Sequence, residues 1–309
     1  MRIMIVGAGA MGASFGAVLA EHEIDVWLVD SWREHVDAIN RDGLRIDGHG
    51  GDRIVRVKAT CDAGDAAPAD LALLFVKSYQ TEQATRAAVK AAGEHTVFLT
   101  LQNGYGNHEL IEAVAGKGRV VLGTTFHSAV LNGPGHVTHT HAAVTTIGEP
   151  DQVRSERVDR IAKVLTDGGI PVEVTDRIMD GIWSKVYINA VFNATCALTG
   201  YRSGEIVAHE ESKDWAQALA EETLAVIRAI GVTLPYENPI EKLWQVSANA
   251  GNAKSSMLQD VEGRRRTEVD SINGAVVKAA SRVGLKAPFN EALVRLIHML
   301  EARYAEKRN

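Results

Sequence analysis

The chain begins with a short apolar segment that runs directly into a glycine-rich turn. Residues 3–6 are Ile-Met-Ile-Val, and Gly7, Gly9 and Gly12 follow with the spacing Gly-x-Gly-x-x-Gly before a helix of small residues. The first glycine permits the tight turn, the second lets a pyrophosphate approach bare main chain, and the third lets the helix pack on the strand. The segment therefore predicts a dinucleotide-binding α/β unit, with the phosphates at the N-terminus of the helix.

A second apolar segment, residues 24–29, ends in Asp30, where an acidic residue of such a unit meets the adenosine ribose. An aspartate there normally accepts hydrogen bonds from both ribose hydroxyl groups and repels a 2′-phosphate, which favours NADH. Ser31 and Arg33 could still bind the extra phosphate of NADPH if Asp30 turned away, so both cofactors stay open, with a slight preference for NADH. The predicted cofactor-binding residues are Gly7, Gly9, Ala10, Met11, Gly12, Asp30, Lys77 and Asn103.

Composition limits the classes of protein to which the chain can belong. Its 309 residues exceed the size at which one core usually keeps growing, which predicts two domains. The net charge of -6 argues against a general nucleic-acid surface, and we expect the basic run 264–266 to be a solvated helix face. Cys61 and Cys196 lack metal-type spacing. No stretch reaches the roughly 18–20 apolar residues of a membrane span, and glycines interrupt the N-terminal segment, so we expect a cytoplasmic protein without a signal peptide.

Strand-like and helix-like segments alternate through the first half of the chain. Apolar runs predict strands at 25–29, 54–57, 71–76, 97–101, 119–126, 136–147 and 168–175. Several of these runs are almost wholly apolar, as expected for parallel strands covered on both faces. Residues 1–175 are therefore predicted to form a doubly wound, Rossmann-type sheet with an added edge.

The second half shows long helical periodicities and almost no strand signal. The predicted helices span residues 178–198, 212–230, 239–250, 259–283 and 290–306. Residues 176–309 are therefore predicted to form an all-helical domain, and a substrate would bind in the cleft between the two domains.

Lys185, Asn189 and Asn193 recur every four residues on a helix that is otherwise mostly apolar. They lie on one face, which must either satisfy its polar groups internally or line an active site. Further along the chain, Ser256 and Gln259 have the form of a helix-capping box. Glu268 is predicted on a helix that enters the core, where we expect its carboxylate to pair with Lys185.

Three histidines, His136, His139 and His141, lie close together, and in a strand His139 and His141 would share a face. Two imidazoles could begin a metal site, but no third ligand with suitable spacing is evident. We therefore expect ordinary surface histidines and no metal.

Six segments together resemble one enzyme family in residues and in order. They are residues 7–12, 76–81 (Val-Lys-Ser-Tyr-Gln-Thr), 101–107 (Leu-Gln-Asn-Gly-Tyr-Gly-Asn), the Lys185/Asn189/Asn193 series, 255–260 (Ser-Ser-Met-Leu-Gln-Asp) and 267–274 (Thr-Glu-Val-Asp-Ser-Ile-Asn-Gly). The set resembles the ketopantoate reductases, also called 2-dehydropantoate 2-reductases, over essentially the whole chain. Any one segment could arise by chance, whereas the set is specific for the family.

The resemblance implies roles for individual residues. Lys185 matches the general acid that protonates the C2 oxygen of ketopantoate as a nicotinamide hydride arrives, and Glu268 would position its ammonium group. Asn189 and Asn193 would bind polar groups of the substrate. Ser256 and Asn103 match positions that hold the substrate carboxylate or neighbouring cofactor groups. Lys77 could meet the cofactor or an anionic substrate.

Asp30 departs from the family pattern, because many relatives carry a basic residue there for the phosphate of NADPH. The resemblance implies NADP(H), whereas Asp30 favours NAD(H). The leading hypothesis is a ketopantoate reductase of pantothenate and coenzyme A synthesis. The alternatives are a sibling dehydrogenase acting on another 2-oxo acid or related carbonyl and, less favoured, a non-catalytic nucleotide-binding regulator. The expected partner is a small 2-oxo acid, and a homodimer is possible.

Overall fold

A computed structural model describes residues 1–306 of the chain. It divides into two compact units, of which the first comprises Met1–Gln102 and Asn107–Ile178. The second comprises the described residues from Met179 onward together with the short segment Asn103–Gly106. Residues 307–309, the end of the predicted helical domain 176–309, lie outside the described residues.

The first unit is built from strands and five α-helices within the described chain. The strands are β1 Arg2–Val6, β2 Asp25–Val29, β3 Leu44–Gly48, β4 Arg53–Val55, β5 Lys58–Thr60, β6 Ala69–Leu74, β7 Ala92–Thr100, β8 Val120–Thr125, β9 Ser128–Gly133, β10 His136–His141, β11 Thr145–Gly148 and β12 Val172–Val174. The helices are α1 Ala10–Glu21, α2 Arg33–Asp42, α3 Thr81–Ala88, α4 Asn107–Ala115 and α5 Glu156–Asp167.

The larger sheet has the strand order β12-β11-β8-β7-β6-β1-β2-β5, and its pairs are parallel except for β8 with β11. Ile3, Ile5, Leu71 and Leu73 on the central strands are fully buried, which explains the unbroken apolar runs. Because β1, β2 and β6 are parallel, their carboxyl ends meet at one edge. The glycine turn, Asp30 and Lys77 follow these three strands, so the fold brings the predicted cofactor residues of this unit to one edge.

The predicted single strand 136–147 is wrong, because the segment contributes to two different sheets. His136–His141 forms β10 in a smaller sheet of order β4-β3-β10-β9, whereas Thr145–Gly148 forms β11 of the larger sheet. Residues 142–144 leave the strand conformation between them. Alternation of side chains along a strand cannot reveal this change of partner, since both halves have strand character.

The second unit is helical in its described part, which confirms the predicted fold class. Its helices are α6 Ile178–Thr199, α7 Glu210–Ala229, α8 Pro239–Ala250, α9 Ser256–Glu262, α10 Asn273–Arg282 and α11 Pro288–Glu306. On α6, the side chains of Trp183, Val186, Tyr187 and Val191 are almost inaccessible to water.

The predicted continuous helix 259–283 is wrong, because it is two helices separated by residues 263–272. Gly263 caps the end of α9, and Arg264 has φ +50°, in the left-handed region. The main-chain N–H of Arg265 then donates to the carbonyl of Asp260 at 2.8 Å. The run 264–266 is therefore an exposed turn and not the predicted helix face.

Among residues 1–306, none of the helices has both the length and the apolar character that crossing a lipid bilayer would require.

Candidate active site

The glycine turn has the shape that a dinucleotide phosphate requires. Gly7 has φ +94°, and a Cβ there would lie 2.7 Å from the main-chain nitrogen of Val76. A Cβ on Gly12 would lie only 2.0 Å from the carbonyl oxygen of Gly7. A Cβ on Gly9, in contrast, would meet no atom of the described chain within 4 Å. Open space therefore faces Gly9 at the start of α1, which fits the approach of a phosphate group.

Asp30 is fixed at the end of β2 by two main-chain groups. Its Oδ2 accepts the N–H of Ala8 at 2.8 Å, and its Oδ1 accepts the N–H of Trp32 at 2.9 Å. Each carboxylate oxygen can accept more than one hydrogen bond, so the group can still receive ribose hydroxyls. The bonds hold Asp30 against the glycine turn, where it opposes a further negative charge.

The predicted polar series lies on α6. Lys185 and Asn189 are half-buried, whereas Asn193 is buried. The side-chain Nδ2 of Asn193 lies 3.5 Å from Ser256 Oγ, to which it donates. The structure thus brings Asn193 and Ser256 together from distant parts of the sequence.

Lys185 lies in a position that disfavours its charged form. Burial lowers the pKa of Lys185 to about 8, and the field of the Glu268 carboxylate partly offsets this by stabilising the ammonium. Glu268 is itself buried, with 5% of its surface exposed. Its Oε2 accepts a hydrogen bond from Asn103 Nδ2 at 3.3 Å. Lys185, Glu268 and Asn103 therefore form one electrostatically linked group within the second unit.

Two predictions about this region need correction. Glu268 does not lie on a helix but in the turn segment between α9 and α10. The N-cap of α9 is Ser255, whose Oγ accepts the N–H of Leu258 at 3.2 Å, and not Ser256. Because the two serines are adjacent, the sequence alone does not show which one caps the helix. Since Ser255 is the cap, the Ser256 hydroxyl is available to Asn193.

Sequence reasoning missed the residues that hold Asn103 in the second unit. The N–H of Tyr105 donates to the carbonyl of Ser271 at 2.8 Å, and the ring of Tyr105 packs on Trp183 with centroids 5.1 Å apart. Both glycines of the segment, Gly104 and Gly106, have positive φ. The paired glycines were the available signal, since they mark a turn that only glycine adopts easily.

The histidines differ from the expected surface set. His139 is only 3% exposed, and its Nε2 lies 3.0 Å from Nδ1 of His127. Burial, followed by the proximity of His139, lowers the pKa of His127 to about 4. The pair lines a cavity of about 460 Å³ in the first unit. No cluster of three or more His, Cys, Asp or Glu that could hold a metal occurs in the part of the chain that the structure describes.

Comparison with known proteins places this geometry in a family. The sequence model of the family ketopantoate reductase PanE/ApbA matches residues 3–152, and the family model of the C-terminal part of ketopantoate reductase PanE/ApbA matches residues 177–301. The chain belongs to the ketopantoate reductase family. It is thus an oxidoreductase with an NAD(P)-binding, Rossmann-type first unit, as the resemblance implied.

Two relatives in the ketopantoate reductase family match the chain over nearly its full length. The chain is 34% identical to the 2-dehydropantoate 2-reductase of Halobacterium salinarum, covering 97% of this chain and 99% of the relative. It is 35% identical to that of Pyrococcus horikoshii, with 98% of each chain covered.

Solved structures of similar proteins share the fold of this chain. The ketopantoate reductase of Ralstonia eutropha JMP134 has a TM-score of 0.92 at 30% identity, covering 99% of this chain and 100% of that one. A D-mandelate dehydrogenase solved with NADH and anilino(oxo)acetate has a TM-score of 0.91 at 25% identity, covering 99% of both chains.

Proposed function

We propose that this protein reduces the C2 ketone of 2-dehydropantoate to the alcohol with a nicotinamide hydride, in pantothenate and coenzyme A synthesis. The observation that carries the proposal is the linkage of Lys185, Glu268 and Asn103 in a chain that matches a named 2-dehydropantoate 2-reductase over 97% of its length. The linkage provides a proton donor of suitable pKa beside a fixed carboxylate.

Lys185 is the general acid in this proposal. A pKa of about 8 leaves most of the ammonium protonated at neutral pH while making its proton easier to release. The ammonium polarises the ketone and then donates a proton from Nζ to the C2 oxygen, which develops negative charge. Glu268 keeps the ammonium charged before the reaction and stabilises it when the proton is restored. When bound, the nicotinamide supplies the hydride.

Asn189, Asn193 and Ser256 bind and orient the substrate. Asn193 and Ser256 lie within 3.5 Å of each other and offer an amide and a hydroxyl, which can donate to a carboxylate or accept from a hydroxyl group. Asn189 is one helical turn from each of Lys185 and Asn193, on the same face of α6. A 2-oxo acid held by this series would present its ketone to Lys185.

NADH is the preferred cofactor in this proposal. Asp30 is held by Ala8 and Trp32, so it cannot swing aside to admit a 2′-phosphate without breaking two main-chain hydrogen bonds. The pyrophosphate would bind to Gly7, Gly9, Ala10, Met11 and Gly12. Lys77 follows β6 at the same edge of the sheet. We also retain the predictions of a homodimer and of a cytoplasmic location, which light scattering and cell fractionation test.

Initial rates of nicotinamide oxidation test the proposal directly. Each cofactor, NADH or NADPH, is assayed with each of four substrates: 2-dehydropantoate, pyruvate, 2-oxoisovalerate and phenylglyoxylate. We expect 2-dehydropantoate to give the highest kcat/KM and NADH to exceed NADPH. A higher kcat/KM for another 2-oxo acid would contradict the substrate, and a preference for NADPH would contradict the role of Asp30.

Lys185→Ala provides the control for this assay. It should lose most turnover, by about 10²- to 10⁴-fold, because a positioned proton donor contributes that much. Its affinity for NADH, measured by fluorescence titration, should stay near that of the wild type. Unchanged turnover in this variant would assign the proton donor to another group.

A further inference from the structure

The segment Asn103–Gly106 is attached to the second unit through its main chain. It leaves the first unit after Gln102 and returns to it at Asn107. The N–H of Tyr105 donates to the carbonyl oxygen of Ser271 at 2.8 Å. A main-chain hydrogen bond therefore joins the segment to Ser271.

Gly104 makes this attachment possible. It has φ +84°, and a Cβ there would lie 2.2 Å from the carbonyl oxygen of Ser271 and 2.6 Å from its Oγ. Real Cβ atoms do not approach backbone oxygen so closely, so a side chain at this position would force the segment away from Ser271. Gly106 has a similar φ of +98°, yet a Cβ there would meet nothing within 4 Å in the described chain.

Ser271 belongs to the same turn as Glu268. Both its N–H and its Oγ donate to the carbonyl oxygen of Glu268, at 3.1 Å and 3.0 Å. The contact between Gly104 and Ser271 therefore fixes the position of Asn103 relative to Glu268. Asn103 precedes Gly104 in the sequence, and Glu268 is held by Ser271.

We infer that Gly104 is a positioning residue, which holds the Asn103 amide against the Glu268 carboxylate through close contact of its main chain with Ser271. The Asn103 hydrogen bond restricts the rotation of the Glu268 carboxylate. Glu268 in turn is the charged side chain that stabilises the ammonium of Lys185. Gly104 thus acts on the proton donor through Asn103 and Glu268, which deepens and rests on the proposed function.

Gly104→Ala and Gly106→Ala form a matched pair that tests this inference. Both place alanine at positive φ, but only the first introduces the clash with Ser271. We expect Gly104→Ala to lower kcat about ten- to a hundredfold, as small displacements in active sites do. Its kcat should also begin to fall at lower pH, because Lys185 loses support from Glu268. Gly106→Ala should change neither quantity, and equal behaviour of the two variants would overturn the inference.

The double variant Gly104→Ala/Glu268→Gln separates positioning from general damage to the fold. If Gly104 acts through Glu268, the alanine should shift the pH profile of Glu268→Gln no further. An additional shift equal to that of the single variant would refute the pathway. Should Gly104→Ala fail to fold, Asn103→Ala removes the amide without a clash and should produce the same shift; a wild-type profile would refute the inference.

Titration of the Lys185 ammonium by NMR in ¹⁵N-lysine-labelled protein, assigned with Lys185→Arg, gives a readout that needs no substrate. A lower pKa in Gly104→Ala but not in Gly106→Ala would support the inference even if 2-dehydropantoate is not reduced. An unchanged pKa would overturn it while leaving the proposed function intact.

Discussion

Lys185 carries a positive charge in a position shielded from water, and the Glu268 carboxylate compensates. Burial lowers its pKa to about 8, and Glu268 acts in the opposite direction. The proposed acid therefore depends on a balance between the two effects. Changes to Glu268 should therefore shift the pH dependence of kcat and not only lower kcat.

Glu268→Gln should shift the basic limb of the kcat profile toward lower pH. Removal of the carboxylate takes away an interaction that raises the pKa of Lys185, so this pKa falls and the proposed proton donor is lost at lower pH, by about one unit. Steady-state kcat between pH 5 and 10 measures the limb. Glu291→Gln, in an exposed ion pair with Arg295 on α11, serves as the control. A limb that stays in place would contradict the electrostatic role of Glu268.

Gly9 and Gly12 should respond differently to added side chains although they share one motif. Gly9→Val meets no described atom at its Cβ, so the protein should fold while NADH binding weakens. A clash of about 1–3 kcal/mol corresponds to an increase of roughly five- to 150-fold in Kd. Gly12→Ala should instead lower Tm, because its Cβ would strike the carbonyl of Gly7. Tm and NADH titration of both variants distinguish these outcomes, and normal affinity in Gly9→Val would place the pyrophosphate elsewhere.

At the scale of elements, α9 separates two roles that adjacent serines fill. Ser255 caps the helix, and Ser256 lies beside Asn193. The arrangement assigns stability to one hydroxyl and proposed substrate binding to its neighbour. Loss of either hydroxyl should therefore be visible in a different experiment.

Ser255→Ala should destabilise the protein by about 0.5–2 kcal/mol, the usual cost of removing an N-cap. Ser256→Ala should leave the urea midpoint within error and raise the KM for the oxo acid. Urea unfolding followed by circular dichroism and steady-state kinetics measure the two effects. The reverse pattern would mean that Ser256, and not Ser255, caps α9.

Elements marked by a local sequence pattern could be predicted, whereas the division of one segment between two sheets could not. The β1–α1 turn and α6 followed from local glycine spacing and apolar periodicity, and both are present. The division of residues 136–147 between two sheets depends on non-local pairing, since β10 pairs with the distant β3 as well as with its neighbour β9, whereas β11 pairs with β8. Asn103 with Glu268 is likewise a contact across 165 positions, and its expected neighbourhood came only from the family resemblance.

For the whole molecule, acid sensitivity should arise in the first unit from its buried histidine pair. The folded pKa of His127 is about 4, below its ordinary value of 6.5. The unfolded chain therefore binds more protons between these values. This contribution to stability is present in full above pH 6.5 and is lost as the pH falls toward 4.

The free energy of unfolding should decrease between pH 7.5 and pH 5 in the wild type, and His127→Gln should reduce that decrease. His95→Gln changes an exposed histidine and should behave as the wild type. Urea unfolding at both pH values measures the difference. An identical decrease in all three proteins would show that the His127–His139 pair is not the source of acid sensitivity.

The segment Asn103–Gly106 also affects how such enzymes can be recombined. It is encoded between two parts of the nucleotide-binding unit, yet it belongs by its contacts to the helical unit. A chimera that exchanges residues 1–178 to alter cofactor choice would also bring a foreign segment 103–106 into the recipient's proposed proton-donor site. Engineering of the cofactor preference should therefore graft residues 1–102 and 107–178 and leave these four codons with the recipient.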